Sequence, residues 1–266
     1  MKKLLYMIAL LATCCVLLAG CNRSNRGENA IILGAIAGPE AELMRTAVKE
    51  GNTHLGLDIQ LVEFEDYMTP NVALAESSID ANMFQHQPYL DAMSLQSGYH
   101  LKAIARTFVF PMGIYSSKHP DKQIPEGATV AIPNDPSNGA RALLLLHQNG
   151  LITLADPSNY LATVQDIVEN PHQLKIQLLD AAQLPRVLSE VDFAVINTTF
   201  AMNAKLRPSR DALWIENANS PYANLLVVRT EEENDPKYQK LIEAMHSEAV
   251  INQAKELFGE EAIQAW

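Results

Sequence analysis

Between Ala30 and Phe110 the chain alternates short apolar runs with helix-forming stretches, and that alternation limits the fold more than any other feature. Ala30 to Ala37 (AIILGAIA) is an apolar run of strand length. Gly38-Pro39 closes it, and Pro39 suits the first turn of a helix. Leu57 to Phe64 alternates as a second strand does. A short helix from about Pro70 to Ser77, a strand from Ile79 to Phe84 and a helix from Pro88 to Gln96, closed by Gly98, come next. Leu101 to Phe110 is strand again, stopped by Pro111. The order β-α-β-α-β-α-β is the signature of an α/β domain with a largely parallel sheet.

After Pro111 the pattern restarts. Met112 to Ser116 and Ala128 to Ile132 read as strands, and Ser137 to Gln148 as a helix. Leu174 to Leu179 and Phe193 to Asn197 are further strands, with a helix over Gln183 to Ser189 between them. Ala223 to Val228 is the last strong strand, and the tail from Asp235 to Phe258 is helical. Two successive α/β units predict two lobes with a ligand between them. In open α/β sheets ligands settle outside the carboxyl ends of the strands. That rule singles out Glu65-Asp66-Tyr67, Phe84-Gln85-His86, Asn134 to Arg141 and Asn197-Thr198-Thr199.

The start of the chain reads as an address. Lys2-Lys3, an apolar run from Leu4 to Leu18 and small residues ending at Cys21 describe a secretory signal peptide over residues 1–20, of the lipobox type. The expected product carries lipid on Cys21 and a polar tether over residues 21–29, and faces the periplasm or the cell exterior. All three cysteines lie at or before that cut, so the fold must stand without disulfides. With 31 acidic against 20 basic residues the net charge is −11, which argues against nucleic acid as a partner. The seven histidines show no HxH or HExxH spacing, and there is no GxSxG or P-loop pattern. Neither a metal, a cofactor nor an enzymatic activity is expected. Asp66 and Asp135 read as turn residues.

Within this frame a few side chains stand out. Ile132 to Leu146 (IPNDPSNGARALLLL) runs from a strand end through a polar turn into an apolar helix, with Ser137 or Asn138 as the expected cap. Arg141 then falls in the first turn, where a cation opposes the helix dipole. Two readings stand: a surface arginine, or a receptor in which free N–H groups and a guanidinium fork await a carboxylate or phosphate. Tyr67, Phe84, His86 and Tyr89 form either core packing or the wall of an apolar or thioether pocket. Asn197, after an apolar strand, either caps the next helix or offers donor and acceptor to a zwitterion. Asn224 opens a strand.

Several stretches together resemble one family. These are the lipobox Leu18-Ala19-Gly20-Cys21, Gly56-Leu57-Asp58 through Phe64-Glu65-Asp66-Tyr67, and Pro70-Asn71-Val72-Ala73-Leu74. Ile79 through Leu90 (IDANMFQHQPYL), Pro133 through Asn138 (PNDPSN), Ala194 through Thr199 (AVINTT), Ser220 through Asn224 (SPYAN) and the terminal Trp266 complete the set. They are similar, in one order along the chain, to the methionine-binding lipoproteins of bacterial ABC importers, the MetQ/NlpA lipoprotein family. The resemblance implies a two-lobed periplasmic-binding-protein (type II) fold closing on one amino acid. Lobe 1 would take residues 30–111 plus 222–266 and lobe 2 residues 112–221.

The resemblance also implies roles. Arg141 would grip the ligand carboxylate, with Asn138 in the same motif. Asn197 and Asn224 would hold the polar end, and Tyr67, Phe84, His86 and Tyr89 would line a thioether pocket. Methionine, an ABC permease with its ATPase and the membrane reached through Cys21 are the implied partners. A methionine derivative, a dipeptide, another amino acid or a non-transport adhesin role are the alternatives. Two positions depart from the pattern: Gly139-Ala140 stands where a bulkier residue and then glycine are expected, and Phe110 replaces a common tyrosine.

Overall fold

In the computed structural model, residues 27–217, 221–259 and 262–266 are described; the expected signal peptide and Cys21 lie outside them. The first unit opens with β1 (Ala30–Ile36), α1 (Pro39–His54), β2 (Asp58–Phe64), α2 (Thr69–Ala75), β3 (Ala81–His86), α3 (Gln87–Ser97) and β4 (Leu101–Val109). A second run holds β5 (Gly113–Tyr115), β6 (Thr129–Pro133), α4 (Pro136–Gln148), β7 (Thr153–Leu154), β8 (Ile167–Glu169), β9 (Lys175–Leu179) and β10 (Phe193–Ile196). Then come α5 (Thr198–Asn203), α6 (Pro208–Asp211), β11 (Trp214–Ile215), β12 (Ala223–Arg229), α7 (Pro236–Met245), α8 (Glu248–Phe258) and β13 (Ile263–Gln264).

Two large sheets and a two-stranded one, β7-β8, organise these elements. The larger runs β13-β4-β12-β3-β1-β2 and the smaller β11-β5-β10-β6-β9. β1 pairs in parallel with β2 over its whole length and with β3. β4 does not touch β3, because β12 lies between and pairs antiparallel with both. Two antiparallel steps in succession leave β4 running in the same direction as β1–β3. The expected strand directions therefore hold, while the strand order does not follow the chain. Every residue of β12 is buried, as a central strand requires.

Each large sheet owns a core. Under the larger sheet, α1 buries Glu40, Leu43, Met44, Ala47 and Gly51 at helical spacing, against α7 and α8. In the smaller unit α4 is buried from Ser137 through Leu146, which explains its unbroken leucine run. A third cluster joins the sheets, with Ile36 and Phe84 from one and Ala131, Ala194 and Ile196 from the other, plus Phe200. The chain crosses between the sheets after β4 and again before β12.

Several expectations need correction. The helix expected over Gln183 to Ser189 is a 3-10 turn (Ala181–Gln183) continued by loose turns. Pro185 has no N–H to give, and its ring opposes an α-helical carbonyl behind it. The tail is two helices, because Ser247 stops the first and caps the second by accepting from Val250 N. Asp135, not Ser137 or Asn138, caps α4, accepting from Asn138 N at 2.9 Å. Arg141 thus sits in the second turn of α4, away from the dipole's end. Finally, β3 extends through His86, so Gln85 and His86 belong to the strand and not to the loop after it.

Candidate functional site

The carboxyl ends of β2, β3, β6 and β10 converge on one cavity between the sheets. Tyr67, Phe84, His86, Tyr89, Asn138, Arg141, Asn197 and Asn224 all line it. Five further residues share the wall: Glu40, Gln85, Phe110, Thr198 and Thr199.

One end is aromatic. Tyr67 packs against Phe84 at 5.8 Å between centroids and against Phe200 at 4.7 Å. Tyr89 meets Phe84 edge-on, and its hydroxyl donates to Tyr67 O at 2.7 Å, fixing the loop that carries Tyr67. Burial pushes the phenols of Tyr67 and Tyr89 well up, so both stay neutral. Offset rings of this kind present an apolar and polarizable wall.

The other end is polar, and its hydrogen bonds have a fixed sense. Asp135 only accepts, so Asn138 Nδ2 donates to it at 3.1 Å. Asn138 Oδ1 is therefore an acceptor. It takes Asn197 Nδ2 at 2.9 Å and faces His86 Nε2 at 3.2 Å. His86 Nδ1 accepts from Tyr89 N at 3.3 Å, which leaves the ring proton on Nε2. Asn197 does occupy the N-cap position of α5, but its side chain makes no capping bond there. Its amide reaches into the cavity network.

Arg141 is 4 % exposed. Its Nε donates to Glu216 Oε1 at 3.0 Å, and its Nη2 to Glu216 Oε2 at 2.5 Å and to Phe110 O at 3.0 Å. Tyr222 lies beneath the guanidinium at 4.3 Å. Among the described residues Nη1 has no hydrogen-bond partner, so the fork is aimed by its own chain with one end spare. Of the two readings of Arg141, the surface one is excluded.

Glu40 is the residue that sequence reasoning missed. Gly38 turns the chain out of β1 at φ 104°, where a side chain would meet Asn203. Glu40 then follows in the first turn of α1, 2 % exposed. Its Oε1 accepts from Thr199 Oγ1 at 2.5 Å and Asn224 Nδ2 at 3.3 Å. Burial raises its carboxyl to about 7 against those two hydrogen bonds. The strand-end rule applied to β1 would have found it. Glu216, 75 residues beyond Arg141, left no local signal.

His86 carries a pH prediction. Burial, and next the Arg141 charge, lower its pKa from 6.5 to about 3. The unfolded chain takes up the proton first, so His86 contributes stability above pH 6.5 that is lost as pH falls towards 3. Urea unfolding of the wild type and His86→Gln at pH 7, 5.5 and 4 should show the wild type losing about 2–3 kcal/mol more on acidification. Parallel pH profiles would refute a buried neutral imidazole.

Residues 31–266 match the profile of the NlpA lipoprotein family. The chain belongs to that family. This NlpA lipoprotein is 43% identical to the "Probable D-methionine-binding lipoprotein MetQ" of Vibrio cholerae, over 100% of its own length and 98% of the relative's. A Coxiella burnetii ABC transporter periplasmic substrate-binding protein matches it with a TM-score of 0.85 and 51% identity, covering 88% of this chain and 100% of the other. A nutrient-binding protein of Burkholderia cenocepacia, solved bound to methionine, matches with a TM-score of 0.86 and 46% identity over 89% and 100% of the two chains. The NlpA chain thus has the two-lobed fold of periplasmic substrate-binding proteins. Among the described residues no helix is long and apolar enough to cross a membrane.

Proposed function

We propose that this NlpA lipoprotein is the lipid-anchored substrate-binding subunit of an ABC importer, holding methionine between its lobes and delivering it to a membrane permease and its ATPase. The observation that carries the reading is the cavity itself. An aromatic wall of Tyr67, Phe84 and Tyr89 faces a polar end of Arg141, Asn138, Asn197 and Asn224, a division that suits a thioether joined to a zwitterion. Arg141 Nη1 takes the carboxylate. Lobe 1 comprises residues 30–111 plus 222–266 and lobe 2 residues 112–221, with hinge motion at the two crossings opening the cavity. Cys21 bears the lipid, on the periplasmic or outer face of the membrane. The protein binds and releases its ligand without chemical change.

The test is a calorimetric titration of L-methionine into the full chain in detergent, after unfolding and refolding to strip carried-over ligand. One-to-one binding tighter than about 10 μM supports the reading. No heat from a refolded sample, with a methionine-containing dipeptide or another amino acid binding instead, would replace methionine by that ligand.

A further inference from the structure

Two residues that line the cavity carry buried acceptors with no hydrogen-bond partner among the described residues: Glu40 Oε2 and Asn197 Oδ1. Each orphan is forced. Asp135 fixes the sense of Asn138, Asn138 fixes that of Asn197, and the outcome leaves Oδ1 as the free acceptor of a residue that lines the cavity. Glu40 Oε1 is occupied from both lobes, by Thr199 and by Asn224, so Oε2 is left over. A buried acceptor without a donor is costly, and a buried carboxylate without a cation more so. Arg141 does not supply that cation, because its Nε and Nη2 are turned to Glu216 and Phe110.

We propose that the Glu40 carboxylate, with Asn197 Oδ1 in the same cavity, is the seat of the ligand's ammonium group and restricts the site to ligands carrying a free amine. An ammonium brings three donors and one positive charge, which are what the two orphans lack. The inference rests on the reading that the cavity takes an amino acid. It adds a residue that neither the post-strand loops nor the Arg141 motif included, and it places carboxylate and ammonium recognition on different elements, α4 and α1.

The burial of Glu40 among these groups supports a proton linkage. Free, its carboxyl titrates near 7, and it must be ionised to hold an ammonium. Methionine binding below that pH therefore expels a proton, and affinity falls by up to about tenfold per pH unit. The other titratable or charged groups lining the cavity are Tyr67 from the β2–α2 turn, His86 on β3 and Arg141 on α4, besides uncharged Thr199 and Asn224, while Asp135, the cap of α4, acts on Tyr67. Tyr67 and His86 are neutral from pH 5.5 to 8. Asp135 is also raised by burial, so the Glu40 variant is needed to separate the two carboxyls.

The experiment titrates L-methionine and 4-(methylthio)butanoate, the same molecule without its amine, into the full chain at pH 8, 6.5 and 5.5. The wild type is expected to bind methionine at least about 100-fold more tightly than the des-amino acid, with affinity falling on acidification. In Glu40→Gln, methionine affinity at pH 8 should fall at least about 30-fold and the acid-side decline should flatten. Equal wild-type affinity for the two compounds overturns the proposal with no variant needed, so a misfolded Glu40→Gln does not rescue it. Unchanged methionine binding in Glu40→Gln overturns it as well. A wild type that binds neither compound overturns the methionine reading, and the ammonium seat with it.

Discussion

Replacing Arg141 by alanine is expected to weaken methionine binding by at least about 30-fold, equivalent to about 2 kcal/mol, and to lower folding stability by about 3–5 kcal/mol. Both effects come from one geometry. The guanidinium is buried and bonded to Glu216 through two nitrogens, to Phe110 O and to the face of Tyr222. Truncation leaves the Glu216 carboxylate, itself only 9% exposed along its side chain, without the cation that justified its burial. It also removes the Nη1 donor proposed to meet the ligand. Arg141→Lys separates the two losses. A lysine keeps a positive charge near Glu216 but cannot bond a carboxylate on one side and a ligand on the other through a planar fork. It should therefore recover more stability than affinity. Urea unfolding gives the first quantity and calorimetry the second. Full affinity in Arg141→Ala would remove Arg141 from the ligand altogether.

How much of this was legible beforehand varies by element, for physical reasons. Strands β1, β2, β6, β9 and β10 are written in local apolar runs, and the rule about strand ends followed from them. Tyr67, His86, Asn138 and Asn197 come from the ends of four different strands or from the segments just beyond them, and meet in one cavity. The rule was not carried to β1, where Glu40 looks like an ordinary acid in a helix's first turn. Its burial depends on Thr199 and Asn224, 159 and 184 residues away. The insertion of β12 between β3 and β4 is equally invisible in any window, since strand order is decided by pairing across the whole chain. The cap is ambiguous in the sequence because Asp135, Ser137 and Asn138 are all good caps. Only the backbone at Asp135 is extended with its carboxylate over Asn138 N.

Arg229→Met is expected to lower stability by about 3–5 kcal/mol while leaving methionine affinity within about threefold of the wild type. Arg229 ends β12, the strand that delivers Asn224 to the cavity from its other end. Buried to 4 % exposure, it donates through Nη1 to Leu74 O at 2.8 Å and Ile79 O at 2.7 Å. Its Nη2 reaches Glu232 at 2.6 Å and Asp80 at 3.4 Å. One guanidinium thus ties the inserted strand to the α2–β3 connection. Asp80 in turn accepts from Ile32 N in β1 at 2.8 Å, which carries the tie to a third strand. Methionine matches the arginine stem in volume but returns none of these bonds, so two buried carbonyls each lose a donor and a buried carboxylate loses its cation. None of these groups lines the cavity. Urea unfolding should show a lower midpoint at unchanged slope, meaning lost stability without a change in compactness. A large fall in affinity at temperatures where the variant is fully folded would instead make the β12 anchor part of the ligand site, and the separation of scaffold from cavity would fail.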